Sequence, residues 1–277
     1  MNASELVFTT RLDENIESMK RLFAGDNTFI CRVVENGAGL RCALFFFDGM
    51  VESQSINLSL VRPISTWNGG AVDIDTLVAQ VIQIDDCPID PGRDTLLEAC
   101  LYGDTIVLVD GDARPAVVNT KGFAKRSPEE PDNEKILRGP REGFTEAFMG
   151  NLSLIRRRLR TPNLKFTFLT VGTVTKTTAV LCYIEGIADE DIVRELRRRV
   201  EAFELDSVLD ANYLAECIRD NRMSPFPTVG MTERPDIVAA KLLEGRAALL
   251  VDGSPVVITV PQILQETIQT NDDYYIS

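Results

Sequence analysis

Two stretches of this chain repeat one another. Residues 95–118, TLLEACLYGDTIVLVDGDARPAVV, and residues 236–258, DIVAAKLLEGRAALLVDGSPVVI, each read as helix, glycine, apolar strand, Val-Asp-Gly, strand. Residues 43–49, ALFFFDG, and 179–186, AVLCYIEG, share an apolar strand that ends in an acid and a glycine. Gly49 and Gly111 are 62 residues apart, and Gly186 and Gly253 are 67 apart. Two independent landmarks at matched separation indicate a tandem duplication. The chain of 277 residues is long enough for two domains of ordinary size. Each unit reads strand, strand, helices, strand, strand. Four strands backed by helices on one face make a small mixed sheet, so the expected class is α/β (α+β), with two tandem units joined by a helical connector.

Periodicity fills in the elements. An amphipathic helix is expected over 4–25, with Leu12, Ile16, Met19, Leu22 and Phe23 on one side and Gly25 closing it. Strands over 28–34 and 40–47 flank an Asn36-Gly37 turn. Helices are expected over 51–61, from Asp73 to Val81, and over 94–102 with Asp94 as N-cap and Gly103 at its end. Asp110-Gly111 reads as a two-residue hairpin turn. In the second half, residues 136–160 are expected to be helical. Phe144, Phe148, Leu152, Ile155 and Leu159 form the apolar stripe, Glu142 and Glu146 stand in the first turns, and Arg156, Arg157, Arg158 and Arg160 in the last. A strand pair follows from Leu164, then helices over 189–203, 209–218 and from Pro235. The polar, Pro-bearing stretch 121–141 is the natural linker. The expected divisions are an N-terminal helix over 1–26, a first α/β unit over 27–120, a linker and connecting helix over 121–163, and a second unit over 164–277.

Composition excludes several functions. The net charge of −13 argues against general nucleic-acid binding, which needs a basic surface. With no histidine, Ser-His-Asp and Cys-His catalysis and histidine-ligated metal sites are removed together. Six cysteines (Cys31, Cys42, Cys87, Cys100, Cys182, Cys217) show no CxxC and no zinc spacing, as expected of reduced thiols in a reducing compartment. Unbroken apolar runs reach about five residues, short of the ~18 a spanning helix needs. No metal and no cofactor is expected.

The candidate sites are few. Asp110 and Asp252 would suit paired-carboxylate chemistry, but Asp-Gly turn chemistry explains both. A histidine-free hydrolase is disfavoured for that reason. Asp48 and Glu185 each precede a glycine at a strand end, where ligands of open sheets bind and where a following helix also favours an acid. Gly139, Arg141 and Gly143 fit no phosphate-loop pattern. Between Lys121 and Pro162 stand ten Lys/Arg and six Asp/Glu, a local +4 in an acidic chain. That run suits a solvated helix end, an acidic partner or lipid headgroups, where each basic residue adds about 1 kcal/mol.

Longer words carry a resemblance. EEPDNEKILRGPREGFTEAFMGNLSLIRRRLRTPNLK, then SPFPTVGMTERPDIVAAKLLEGRAALLVDGSPVVITVP and NDDYY, resemble the N-terminal domain of the A subunits of GerA-type spore germinant receptors. Glu129, Glu130, Pro131, Arg138 to Glu142 and Leu154 to Arg160 match the family's words, and the likeness runs from about Arg11 onward. The resemblance implies a non-enzymatic module of a nutrient receptor. It would act in assembly or signal transmission, with B and C subunits as partners, in the spore inner membrane and on its cytoplasmic side. A membrane domain is expected after residue 277, so this chain reads as an excised soluble domain. The alternative is direct binding of an amino acid, sugar or nucleoside in the cleft between units, with Asp48, Glu185, Arg138 and Arg141 as contacts. Glu142, Asn151, Arg156, Arg157, Arg158 and Arg160 are the expected contacts to partner subunits or anionic lipid.

Overall fold

A computed structural model describes residues 3–84, 86–122, 142–202, 205–219 and 228–263. The chain divides into two compact units, one of Met1–Lys125 with Arg160–Pro162 and one of Arg126–Leu159 with Asn163–Ser277.

The first unit opens with α1 (Leu12–Leu22), followed by the hairpin β1 (Phe29–Glu35) and β2 (Arg41–Phe47). Asn36 fixes that hairpin. Its Oδ1 accepts from the backbone N–H groups of Ala38 and Leu40, and its amide donates to the carbonyls of Ile64 and Trp67. Next, α2 (Ser53–Ile56) runs through a π-helical turn (Asn57–Val61) into α3 (Arg62–Thr66). A short α4 (Ile74–Thr76), N-capped by the Asp73 carboxylate, continues into a second π-helical turn (Leu77–Val81). The unit closes with α5 (Arg93–Leu101), β3 (Thr105–Val109) and β4 (Ala116–Val118). Strand order is β1-β2-β3-β4.

The second unit repeats the plan. It comprises α6 (Phe148–Arg158), β5 (Leu164–Val171), β6 (Thr177–Ile184), α7 (Glu190–Glu201) and α8 (Ala211–Ile218). Then come β7 (Gly230–Thr232), α9 (Pro235–Leu243), β8 (Ala247–Val251) and β9 (Val257–Val260). Strand order is β5-β6-β8-β9-β7.

The two duplicated α/β units stand as expected, and several details differ. Among the described residues every strand pairing is antiparallel rather than mixed, and the second sheet gains a fifth strand at its edge. Helices cover both faces of each sheet, not one. Alternate residues of β2 show this: Ala43, Phe45 and Phe47 pack with α1 and α5, while Cys42 and Leu44 pack with α2, α3 and α4. In the second unit α6 and α9 cover one face, and α7 and α8 the other. A strand buried on both sides must be apolar throughout, which is why TIVLV and AALLV have every residue buried.

Helix ends also shift. α1 begins at Leu12, where the Asp110 carboxylate accepts from the Leu12 N–H. Asp110 is therefore a helix anchor. The β3–β4 register pairs Val107 with Ala116, so the connection is longer than a two-residue turn. α5 starts at Arg93 after Gly92 at φ 89, not at an Asp94 cap. Of the helix expected over 136–160, residues 136–141 lie outside the described residues, and from 142 on it begins only at Phe148, because Phe144 N–H donates to the Glu233 carbonyl and Thr145 is tied to Asn151. Expected as a connector, α6 packs Leu152 and Ile155 into the second unit's core. It is the counterpart of α1, eleven residues against eleven. Most of the expected linker, 123–141, lies outside the described residues.

Candidate functional site

The arginine-rich helix is bound into its surroundings. Arg156 is buried, with its guanidinium 4.9 Å from the Phe166 ring centroid. Arg157 and Arg158 both reach Glu142, at 3.3 and 2.7 Å. Asn151 is buried and holds Thr145 by its backbone N–H and C=O. Arg160, in the first unit, stacks over the Tyr102 ring at 3.9 Å and stands 3.7 Å from Glu98. Of the expected contact residues, Asn151 and Arg156 are thus interior groups, and Glu142, Arg157, Arg158 and Arg160 remain at the surface as paired charges. Arg138 and Arg141 lie outside the described residues.

Asp48 and Glu185 occupy matched places in the two units. The Asp48 N–H donates to the Thr28 carbonyl, and the Glu185 N–H to the Asn163 carbonyl, each at 2.8 Å. Their surroundings differ. The Asp48 carboxylate is exposed and accepts from the Gly49 N–H of its own turn, a local bond of 2.9 Å. Glu185 borders a cavity of about 290 Å³, together with Tyr183, Gly186, Glu190, Arg194 and Arg197.

This cavity is built on β6 with the turn that follows it and on α7, and β5 supports it from beside. β6 supplies Tyr183 and leads into Glu185, and α7 supplies Glu190, Arg194 and Arg197 at helical spacing. From β5, the buried Lys165 brings its ammonium to 3.5 Å from the Glu185 carboxylate. Asp189 starts α7 by accepting from the N–H groups of Asp191 and Ile192, which fixes where the arginines fall. Burial and the neighbouring Glu185 push the Tyr183 phenol pKa up, with Arg197 and a hydrogen bond to Thr167 opposing. Tyr183 therefore keeps its proton and remains a donor at neutral pH. The site joins cationic, acidic and phenolic groups around a half-open space, which suits binding of a small polar molecule. A second cavity of about 290 Å³, lined by Ile192, Leu196, Ile218, Val229 and Val260, is mostly apolar. Among the described residues, no group of three or more Cys, Asp or Glu is placed to hold a metal ion.

Lys165, Tyr183 and Arg197 do not stand out in the sequence by motif. A position-by-position comparison of the two copies exposes the first two. β1 pairs Ile30 with Phe46 where β5 pairs Lys165 with Tyr183.

Comparison with known proteins fits this architecture. The sequence model of the family described as Bacillus/Clostridium GerA spore germination protein matches residues 17–277. The uncharacterized membrane protein YfkQ of Bacillus subtilis is 35% identical over 95% of this chain and 52% of its own length. Spore germination protein KA of Bacillus subtilis is 33% identical over 98% of this chain and 50% of its own. The chain thus spans about half the length of these curated relatives. The crystal structure of the N-terminal domain of the A subunit of the Bacillus megaterium spore germinant receptor GerK3 matches with a TM-score of 0.68 and 28% identity. That match covers 94% of this chain and 98% of that one. With the family model spanning nearly the whole sequence, this chain belongs to the GerA spore germination protein family.

Proposed function

We propose that this chain is the N-terminal module of a germinant-receptor A subunit, and that it supports receptor assembly and passes the nutrient signal to a membrane portion. The observation that carries the reading is the end-to-end likeness to the GerK3 A-subunit N-terminal domain, which accounts for both units. The length of the relatives, about twice this chain, leaves room for a membrane part in the whole protein. Among the described residues no helix is long and apolar enough to cross a membrane. B and C receptor subunits are the partners this reading requires, and the spore inner membrane is its location. The role is a non-enzymatic one, and a sequence without histidine leaves it without the commonest general base of hydrolytic enzymes.

The test uses the full-length protein in spores, with and without the module. Loss of the module should abolish both co-purification with B and C subunits and nutrient-triggered germination. Normal germination and normal co-purification without it would refute the reading.

A further inference from the structure

The two copies of the fold provide an internal control. At the same register position, the first unit places Ile30 opposite Phe46 and the second places Lys165 opposite Tyr183. The fold therefore accepts an apolar pair here. Yet the second unit carries an ammonium at 1% exposure, and removing such a charge from water costs several kcal/mol. An ion pair replaced by apolar residues of like volume is often neutral or stabilising. Stability alone does not explain why the second unit uses a lysine and a tyrosine. Their placement does: Tyr183 lines a cavity between the end of β6 and α7, and Lys165 reaches the Glu185 carboxylate at that cavity's border.

We propose that the cavity bordered by Tyr183, Glu185, Arg194 and Arg197 binds a small organic anion through its oxyanion head. Arg197 is the main cation for it. Arg197 reaches the Glu201 carboxylate only at 4.0 Å, whereas Arg194 is held by Asp191 at 2.5 Å. A guanidinium presents a planar fork of donors that matches a carboxylate or phosphate. The Tyr183 hydroxyl, with its pKa raised by burial and kept protonated at neutral pH, adds a neutral polar group to the lining. Lys165 acts as a positioning residue, since its ammonium offsets the Glu185 carboxylate that would otherwise repel the ligand. Glu190 and Glu185 bring negative charge to the border, so the site takes one oxyanion head rather than a polyanion. A volume of about 290 Å³ suits a molecule of a few carbons, at the low end of the usual ligand-pocket range. The inference goes beyond the receptor reading, and the assembly and germination assays above are independent of it.

The shared chemistry is an oxyanion, so two probes distinguish its source: propionate for carboxylates and inorganic phosphate for phosphate esters, each titrated at fixed ionic strength. The protein is the full 277-residue chain, followed by backbone amide NMR. Saturable shifts at Tyr183, Gly186 and Arg194 with one probe are expected. Arg197→Ala and Tyr183→Phe should each weaken that binding at least 10-fold. Lys165→Ile combined with Tyr183→Phe, which restores the apolar pattern of the first unit, should keep the fold and lose the binding. No saturable shift with either probe overturns the proposal, as does binding that Arg197→Ala and Tyr183→Phe leave unchanged. Should the double variant fail to fold, Arg197→Ala still decides, because Arg197 sits on the exposed side of α7.

Discussion

Asn151 does in the second unit what Asn15 does in the first. The Thr9 N–H donates to Asn15 Oδ1 at 2.9 Å, and Asn15 Nδ2 donates to the Thr9 carbonyl at 2.7 Å. Thr145 and Asn151 repeat the exchange. Both asparagines are 1% exposed. In each unit the same side chain latches the approaching chain onto the helix that follows, and a neighbouring residue then accepts from a glycine N–H. Thr10 accepts from Gly111, and Glu146 from Gly253.

That arrangement makes Asn15→Ala and Asn151→Ala costly. Each would remove two hydrogen bonds to partly buried backbone groups of Thr9 or Thr145, each contributing about 1 kcal/mol. Chemical denaturation should show a loss of that order for either variant. A change within about 0.5 kcal/mol, the range of an ordinary surface substitution, would show that the latch contributes nothing.

Acid should loosen the first unit at Asp112. The Arg114 guanidinium bonds to its carboxylate, and the backbone N–H groups of Arg114 and Ile74 also donate to it, so its pKa is held down to about 2. A carboxylate depressed in the folded state stabilises fully above its unfolded pKa, about 3.9, and loses that contribution as pH falls toward 2. NMR titration of Asp112 should give a midpoint well below about 3.9 in the native protein, and Arg114→Gln should raise it. An Asp112 midpoint unmoved by Arg114→Gln would remove the guanidinium as the cause.

Thiol chemistry offers a third check. Burial pushes the Cys42 pKa up to about 12, and Cys100 and Cys182 are likewise buried. A thiolate is the reactive form, so these three should resist a disulfide reagent at about pH 8 in native protein. Addition of denaturant should release them. Rapid labelling of Cys42 without denaturant would contradict the packing of β2.

The duplication was legible in the sequence because strand ends and helix ends carry glycines at fixed offsets, and α7 was legible from its stripe of Ile192, Val193, Leu196 and Val200. Other features were not. The π-helical turns at Asn57–Val61 and Leu77–Val81 shift the apolar spacing, so residues 51–61 show only an imperfect stripe. A three-residue strand such as β7 has too few positions to show alternation. Glu142 reads as the acidic start of a helix by sequence position, yet it precedes α6 and reaches its last turn instead. Charged residues in the interior are the least legible of all. Lys165 and Arg156 read as surface groups, because charge in a sequence marks solvent unless the partner that offsets it is known.

The arginine run of α6 divides by burial, which permits a direct test. Arg156 is 1% exposed and lies over the Phe166 ring, so truncation removes a cation–π contact and the packing of its aliphatic stem. Arg156→Ala should therefore destabilise by about 2 kcal/mol or more. Arg157 shares Glu142 with Arg158 at a partly exposed site, where ion pairs contribute about 0–1 kcal/mol. Arg157→Ala should cost less than about 1 kcal/mol in the same denaturation assay. If this helix also meets anionic lipid, vesicle binding should fall with Arg157→Ala and Arg158→Ala while the fold is retained. Equal destabilisation by Arg156→Ala and Arg157→Ala would show that the run acts as a single charged surface, contrary to the burial pattern.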